Sequence, residues 1–264
     1  MVLTNKVYIV GAGSGDPDLI TVKGLKILQQ ADVVIYADSL VNEELIAKAK
    51  SNAKVLKSSG MDLEEQVALM SEEVRQGKSV ARVHTGDPAI YGAILEQMVL
   101  LRETGTPYEI IPGVSAIFAA ASQVQAELTV PELTQTVIIT RIEGRTPVPE
   151  TEKLRALASH HTTIALYLSL GMAEKVTSEL LAAGWQEDTP IAIVYRATWP
   201  DQKIIRTNVK RLASDLAEAG ITKHAIILAG KALDPELVVS KAHQSKLYDK
   251  HFTHGYRAGK GKDE

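Results

Sequence analysis

The sequence has no cysteine among its 264 residues, which excludes disulfides, thiolate metal sites and cysteine nucleophiles. Neither sign of charge dominates, since 29 lysines and arginines stand against 32 aspartates and glutamates, for a net charge of -3. The basic excess of a nucleic-acid-binding protein is therefore absent. No apolar run approaches the roughly 20 residues that a membrane-spanning helix needs, so we expect neither nucleic acid nor a membrane as a partner.

Apolar residues make up 45% of the chain, enough to bury a full core in one large domain or two of ordinary size. A strand pattern begins at Val7, which leaves no room for a secretory signal peptide. Together with the absence of cysteine, this start predicts a cytoplasmic protein.

Short apolar runs alternate with helical patterns in the first half of the chain. This alternation predicts a mostly parallel sheet covered on both faces. Asn42 and Asp62 have the side chains and spacing of helix N-caps. The predicted strands are residues 7–10, 33–36, 54–56, 80–83 and 108–111, and the predicted helices are 22–30, 42–50, 62–76, 90–103 and 115–125.

The second half adds a turn signal between two strand patterns. Residues 198–201, Thr-Trp-Pro-Asp, predict a hairpin, so the second sheet should contain at least one antiparallel pair. The predicted strands are 137–140, 163–168, 191–195, 203–206 and 225–228, and the predicted helices are 152–158, 172–183 and 209–219.

These patterns predict an α/β protein of two domains, the first sheet mostly parallel and the second mixed. We place the domains at residues 1–114 and 115–245, followed by a polar tail at 246–264 whose end we expect to be disordered.

The segment at residues 85–92, Thr-Gly-Asp-Pro-Ala-Ile-Tyr-Gly, follows the predicted strand at 80–83. Gly-Asp-Pro can continue neither a strand nor a helix. Open α/β sheets hold their ligands at strand ends of this kind, so we expect this segment to line a ligand site.

A second glycine-rich loop, Gly-Ala-Gly-Ser-Gly-Asp-Pro at residues 11–17, follows the first predicted strand. It suggests a dinucleotide fold and a nicotinamide-dependent dehydrogenase, with Asp38 near the position of a ribose-binding acid. That fingerprint needs a third glycine in place of Asp16 and a helix directly behind the loop, whereas the helical pattern begins only near Thr21. We reject the dehydrogenase; the glycines either permit a tight strand exit or line a substrate site.

Four segments together resemble the tetrapyrrole methyltransferases, which use S-adenosylmethionine, and the resemblance covers essentially residues 7–233. Ser14 departs from the family pattern, which usually has proline there. The segments are 11–17, 85–92, 111–116 (Ile-Pro-Gly-Val-Ser-Ala) and 167–172 (Tyr-Leu-Ser-Leu-Gly-Met). Within the family, residues 36–42, 58–65 and 141–146 are most similar to the precorrin-4 C11-methyltransferases of cobalamin biosynthesis.

The resemblance implies a tetrapyrrole methylase fold that binds S-adenosylmethionine in an active-site cleft between the two domains, and methyl transfer to C-11 of cobalt-precorrin-4 or precorrin-4. Transfer from a sulfonium is an in-line displacement that needs no metal and can draw most of its catalysis from alignment. The implied cofactor contacts are Thr85, Gly86, Asp87, Ile90, Ser115, Ala116, Leu168, Ala197 and Ala229.

Several of these residues have plainer alternative roles. Asp87 would face a polar or cationic part of the donor, or it caps the following helix. Ser115 would cover the cofactor, and its alternative role is that of a helix N-cap. Leu168 would pack on the adenine, and its alternative is a place in the core. On the cofactor hypothesis, Asp87→Ala should weaken binding more than any change in residues 11–15.

The implied substrate is a macrocycle bearing many carboxylates. Its binding site should therefore offer guanidinium groups, ammonium groups and main-chain N–H donors. Asp38 and Lys57 lie where relatives carry polar residues facing the tetrapyrrole, which implies a catalytic role; Asp38 would handle or orient a proton. His84 is a second proton-handling candidate, or a hydrogen-bonded core histidine. The implied substrate contacts are Gly11, Gly13, Ser14, Gly15, Arg141 and Arg145, and Arg82 and Arg196 are further candidates whose alternative is a surface charge.

Other functions remain open. The enzyme could methylate C-20 or C-17 of the ring, or it could act on uroporphyrinogen III. Alternatively, the chain could be a non-catalytic tetrapyrrole-binding module. His251 and His254 have a spacing compatible with metal ligands, but no third ligand pattern lies nearby, so we expect no metal site. Members of the family are typically homodimers, and the resemblance implies the same here.

Overall fold

The computed structural model describes residues 2–240 and 242–260. They form two compact units: the first runs to Ala120 and includes Arg196–Lys203, and the second comprises Ala121–Tyr195 and the residues from Ile204 onward. The domain boundaries at 114/115 and 245/246 stay a prediction, and residues 261–264, at the end of the polar tail, lie outside the described residues.

The sheet of the first unit has five strands in the order β3-β2-β4-β1-β5. Every neighbouring pair is parallel, so all five carboxyl ends lie at one edge. In this register Val10 lies beside both Val83 and Ile111. The strands are β1 (Val7–Gly11), β2 (Val33–Tyr36), β3 (Lys54–Lys57), β4 (Val80–His84) and β5 (Tyr108–Ile111).

Helices cover both faces of this sheet. On one face Ile27 and Leu45 pack against Val10 and Val83, and on the other Met70 packs in a separate cluster with Ile9. Asn42 and Asp62 cap their helices as predicted, and Asp62 forms a capping box with Glu65. The helices are α1 (Val22–Leu28), α2 (Glu43–Ile46), α3 (Leu63–Arg75), α4 (Ile94–Glu103) and α5 (Ala116–Gln123), the last of which continues into the second unit.

The sheet of the second unit is mixed, in the order β6-β7-β10-β8-β9. Strand β6 is parallel to β7, whereas β10 is antiparallel to both β7 and β8. Its strands are β6 (Val137–Arg141), β7 (Thr163–Tyr167), β8 (Pro190–Tyr195), β9 (Lys203–Asn208) and β10 (Ala225–Ala229), and its helices are α6 (Leu154–Ala158), α7 (Ala173–Ala182) and α8 (Leu212–Glu218).

The predicted fold class is confirmed, including an antiparallel pair in the second sheet. Two predicted elements have different limits in the structure because residues at one end of each adopt left-handed backbone. The helix predicted at 90–103 begins only at Ile94, since Tyr91 and Ala93 have φ of 53° and 48°. The strand predicted at 163–168 ends at Tyr167, since Leu168 has φ of 53°. No helix in the described part of the chain is both long and apolar enough to cross a membrane.

Candidate active site

Three loops of the first unit meet at the carboxyl edge of its sheet, after β1, β4 and β5. Gly13 and Gly86 exchange two main-chain hydrogen bonds, of 3.2 and 2.7 Å. A Cβ atom on Gly11 would lie 2.6 Å from the nitrogen of Gly113 and 2.7 Å from the oxygen of Gly86. Glycine is required there because main chain lies directly against main chain. The structure thus brings the two glycine-containing motifs into contact.

The Asp87 carboxylate connects two of these loops. Its Oδ1 accepts a hydrogen bond of 2.8 Å from the N–H of Ala89, and its Oδ2 accepts one of 2.9 Å from the N–H of Gly113. Asp87 therefore stabilises its own turn and positions the loop after β5. The alternative that it caps the following helix is wrong, because α4 begins only at Ile94 and its first residue is preceded by Ala93 without a side-chain cap. Because a carboxylate oxygen has more than one lone pair, these bonds leave acceptor capacity for a ligand.

Ser115 and Ala116 lie beside the same turn, at the start of α5. A Cβ on Gly86 would lie 3.7 Å from the Cα of Ser115 and 3.8 Å from the nitrogen of Ala116. The Ser115 oxygen accepts hydrogen bonds from Phe118 and Ala119, so this residue begins the helix. Four of the predicted cofactor residues, Gly86, Asp87, Ser115 and Ala116, are thus neighbours.

The remainder of the glycine loop packs against residues 196–203, which belong to this unit. Ser14 forms a 3.0 Å hydrogen bond with the Thr198 hydroxyl, and its main-chain oxygen accepts a 2.9 Å bond from the Trp199 indole. A Cβ on Gly15 would overlap the Trp199 ring and lie 2.9 Å from the Ala197 oxygen. Here the glycine permits close packing of an aromatic ring.

Arg196, a candidate for binding substrate, is held within the same segment. Its guanidinium lies 4.1 Å from the centre of the Trp199 ring, and its Nε lies 2.8 Å from Asp201. The arginine therefore stabilises the segment that covers the glycine loop.

A cavity of about 470 Å³ lies on the α3 and α4 side of the β4–α4 loop. Thr85 and Ile90, two predicted cofactor residues, contribute to its wall. It is lined by Ala37, Leu63, Gln66, Arg82, His84, Thr85, Ile90, Tyr91, Gly92, Ala93, Glu96 and Gln97.

Two basic side chains in this wall are buried: Arg82 is 5% exposed and His84 is 6% exposed. Burial lowers the pKa of Arg82 to about 10, so the guanidinium stays charged near neutral pH. Burial and the nearby Arg82 charge lower the pKa of His84 to about 3, so the imidazole is neutral. A hydrogen bond with Gln97 opposes this shift, and the Nε2 atom of His84 has no hydrogen-bond partner among the described residues.

Asp38 lies just after β2, and Lys57 is the last residue of β3, so both lie at the same edge of the sheet. Ser59 donates two hydrogen bonds to the Asp38 carboxylate, of 3.1 and 2.9 Å. Desolvation raises the pKa of Asp38, but the Ser59 bonds and the Lys57 charge outweigh it and hold the pKa below its usual value. The Lys57 ammonium lies 2.9 Å from Glu43, whose hydrogen bond and charge raise the Lys57 pKa. Asp38 is therefore ionised and Lys57 protonated near neutral pH.

Two predicted cofactor residues lie in the second unit. Leu168 is 70% exposed and left-handed, so the alternative that it is a core residue is wrong. Because residues in left-handed backbone cluster at functional sites, Leu168 stays a predicted cofactor contact. Ala229, by contrast, ends β10 with its side chain in the core of this unit.

The predicted substrate arginines of the second unit have different surroundings. The Arg141 guanidinium donates to the main-chain oxygens of Ile142, Thr146 and Pro147 at 2.8–3.4 Å, and so stabilises its own loop. Arg145 lies in that loop with an exposed side chain. Of the two, Arg145 is the more exposed and its guanidinium is not used to hold the loop in the way that of Arg141 is.

Sequence reasoning missed two residues. Gln97 on α4 accepts from Arg82 in the cavity, and Trp199 covers the glycine loop. Residues 198–201 carried only a turn signal, although a tryptophan in a turn is itself unusual.

No group of metal-ligating side chains occurs within residues 2–240 or 242–260.

Comparison with known proteins gives one consistent result. Residues 6–213 match the model of the tetrapyrrole (corrin/porphyrin) methylases. The chain is 63% identical to a cobalt-precorrin-4 C(11)-methyltransferase of Priestia megaterium, over 96% of this chain and 98% of that one. It is 43% identical to a precorrin-4 C(11)-methyltransferase of Pseudomonas aeruginosa, over 96% and 99%.

Solved structures give the same result. The X-ray structure of a cobalamin biosynthetic enzyme, a cobalt precorrin-4 methyltransferase, matches with a TM-score of 0.86 and 64% identity, over 88% of this chain and 97% of that one. A uroporphyrin-III C-methyl transferase from Thermus thermophilus, complexed with S-adenosyl homocysteine, matches with a TM-score of 0.72 and 26% identity, over 87% and 93%. The resemblance read from four short segments is thereby confirmed, and the chain belongs to the tetrapyrrole (corrin/porphyrin) methylase family.

Proposed function

We propose that this enzyme transfers the methyl group of S-adenosylmethionine to C-11 of cobalt-precorrin-4 in cobalamin biosynthesis. The observation that carries the proposal is the 63% identity to a cobalt-precorrin-4 C(11)-methyltransferase over nearly the whole of both chains. A second relative of that name, from Methanocaldococcus jannaschii, is 53% identical. Relatives named for precorrin-4 are 43% identical or less, which favours the substrate that carries cobalt.

The residues at the carboxyl edge of the first sheet fit such a cofactor. Gly11, Gly86 and Gly113 permit close approach of main chain. Thr85, Gly86, Asp87, Ser115 and Ala116 would hold the cofactor there, with Ile90, Ala197, Leu168 and Ala229 as further predicted contacts. When bound, S-adenosylmethionine supplies an electrophilic methyl group on a sulfonium that already carries its leaving group.

The chain's own contribution is then chiefly alignment. Holding two reactants in line is worth on the order of 7–11 kcal/mol of the barrier. Asp38, ionised near neutral pH, would accept or orient a proton at the macrocycle, whereas the protonated Lys57 would pair with an acidic arm. Gly11, Gly13, Ser14, Gly15, Arg141 and Arg145 remain the predicted substrate contacts; Ser14, Gly15 and Arg141 also have the structural roles described above.

A direct test locates the transferred methyl group. The purified chain is incubated with cobalt-precorrin-4 and S-adenosylmethionine labelled with ¹³C in its methyl group, and the product is examined by NMR. The proposal requires label at C-11. Label at C-20 or C-17 would instead favour another ring position, and an unlabelled macrocycle that nevertheless binds would favour a non-catalytic binding module.

Cofactor choice can be tested separately by thermal unfolding. A ligand at 100 times its Kd stabilises the folded state by about 2.7 kcal/mol. S-adenosylhomocysteine should raise the midpoint of unfolding, and NAD should leave it unchanged. Stabilisation by NAD alone would contradict the proposal and restore the dehydrogenase that the glycine loop first suggested.

We further infer a cytoplasmic homodimer, on the strength of the family resemblance. Size-exclusion chromatography with light scattering would measure the mass directly. The dimer is expected at twice the 28.6 kDa of the chain, and a mass of one chain at micromolar concentration would contradict it.

A further inference from the structure

Arg82 is buried in the first unit without an acidic partner. Its Nε donates to Gln97 Oε1 at 3.4 Å and its Nη1 donates to the Ile35 oxygen at 3.5 Å. Both bonds are long, and a guanidinium has five N–H donors. No ion pair joins Arg82 to any described aspartate or glutamate. A charge that is 95% removed from solvent is therefore left largely uncompensated.

The side chain faces a cavity that is large enough for a ligand. Its volume of about 470 Å³ lies within the range of small-molecule sites. His84 Nε2, buried and without a partner, belongs to the same wall. Tyr91 and Glu96, also in the wall, are exposed and give the cavity access to solvent.

Burial of such a charge is unfavourable by itself. Replacing a buried ionic group by an apolar one of similar volume is often neutral or stabilising, because the desolvation penalty disappears. An anion in the cavity would remove that penalty through charge-assisted, bidentate hydrogen bonds, for which a guanidinium has the right geometry. The neutral His84 and Gln97 beside Arg82 add polar groups without adding a charge, and the carboxylate in the wall, Glu96, is exposed to solvent.

We propose that this cavity binds a carboxylate group of a small molecule, with Arg82 as its ion-pair partner. The origin of the carboxylate rests on the proposed function, which offers two sources of the same chemistry. One is the amino-acid end of the methyl donor, because Thr85 and Ile90 of the predicted cofactor loop share the wall. The other is an acidic arm of the macrocycle.

Binding measurements on Arg82→Met separate these sources. The probes for calorimetric titration are S-adenosylhomocysteine, 5′-methylthioadenosine, which lacks the amino-acid end, and uroporphyrin III, a stable macrocycle bearing carboxylates. The variant should bind the carboxylate-bearing probe about 10- to 100-fold more weakly than the wild type. Loss confined to S-adenosylhomocysteine assigns the cofactor, and loss confined to uroporphyrin III assigns the macrocycle. In both cases 5′-methylthioadenosine binds unchanged.

Stability distinguishes a ligand-binding arginine from a structural one. We expect Arg82→Met to raise the midpoint of thermal unfolding of the free protein by roughly 2–4 °C. Arg102→Met, on the exposed side of α4, is the matched control and should change neither the midpoint nor the binding of any probe. A lower midpoint together with equal weakening of all three probes would overturn the proposal in favour of a structural role.

Binding of the probes by the wild type distinguishes failure of the carboxylate site from failure of the methyltransferase proposal. If Arg82→Met binds all three probes as the wild type does, the carboxylate site is refuted while the methyltransferase proposal stands. If the wild type itself binds none of them, both fail. A measurement without any variant is the NMR signal of the Arg82 Nε–H, which should shift when the carboxylate-bearing probe is added; an unchanged signal at saturation would also refute the site.

Discussion

Asp87 Oδ2 accepts a 2.9 Å hydrogen bond from the main-chain N–H of Gly113, and this bond joins the loop after β4 to the loop after β5. The second oxygen of the carboxylate is bonded to Ala89 within its own turn. Asp87 thus fixes the distance between two loops that both contain predicted cofactor contacts. The positions of these contacts therefore depend on Asp87 even where it does not touch the ligand itself.

Replacing Asp87 by asparagine should loosen this connection. The amide keeps one acceptor oxygen but places an NH₂ donor opposite a main-chain N–H, so one of the two bonds is lost. We expect amide hydrogen exchange at Gly113 to accelerate by about tenfold or more, in line with the loss of about 1.5–3 kcal/mol for a hydrogen bond to a charged group. The affinity for S-adenosylhomocysteine should fall by about tenfold.

Asp62→Asn provides the control, because Asp62 also accepts a main-chain hydrogen bond, from Glu65 at the start of α3. It should leave both Gly113 exchange and affinity unchanged. If Asp87→Asn lost affinity while the Gly113 amide stayed protected, the carboxylate would act by touching the cofactor and not by joining the loops.

Gly11→Ala should be severe, because the added Cβ would meet main-chain atoms of both Gly113 and Gly86. Backbone cannot rotate away as a flexible side chain can, so the cost is that of overpacking, about 3 kcal/mol. Urea unfolding would measure it. Gly60→Ala is the matched control, since a Cβ at Gly60 meets no atom within 4 Å. Equal stability of the two variants would show that the loops separate easily.

The contact of Gly11 with two neighbouring loops bears on the expected ranking of substitutions. From the sequence, Asp87→Ala was expected to weaken cofactor binding more than any change in residues 11–15. The close approach of Gly11 to Gly113 and Gly86 now gives a change at Gly11 a steric route to the same loops. The ranking stays a prediction, and the two variants measured side by side would decide it.

The strands and most helices could be predicted because their periodicity is local. The strand order could not, since no local pattern states that β4 lies between β1 and β2. The start of α4 was predicted too early because the left-handed Tyr91 and Ala93 break the helix without a glycine or proline at either position.

The site was predictable as a set of strand ends, but the partners of its side chains were not. Arg82 was considered a candidate with a surface charge as the alternative, because a sequence does not state whether an arginine in a strand has an acid opposite. Trp199 was missed because its contact with Gly15 joins residues far apart in the chain. Such pairings are decided by tertiary packing.

Asp38→Asn should reduce turnover with little effect on folding. Its carboxylate is ionised near neutral pH and oriented by Ser59, which suits a proton acceptor. Loss of a positioned base typically costs about 100-fold or more in kcat. Ser59→Ala is the companion variant: it keeps the carboxylate but removes one of its two hydrogen bonds, so a smaller loss is expected. Full turnover by Asp38→Asn would remove the residue from the mechanism.

His84 should make the protein less stable in mild acid. Burial and the Arg82 charge lower its pKa to about 3 in the folded state, whereas an unfolded chain has the ordinary value of 6.5. Between these values the unfolded chain binds a proton that the folded one does not, so stability falls as the pH falls. Each pH unit in this window costs about 1.4 kcal/mol from this one group.

Urea unfolding at pH 6.5 and 4.5 tests this directly. His84→Gln removes the titrating group, so the wild type should lose about 2 kcal/mol more than the variant over this interval. His160→Gln is the matched control: His160 is exposed, and its removal should leave the loss equal to that of the wild type. If His84→Gln also lost as much as the wild type, the imidazole would be protonated within the fold, and the positive charge of Arg82 beside it would have to be balanced by a nearby anion.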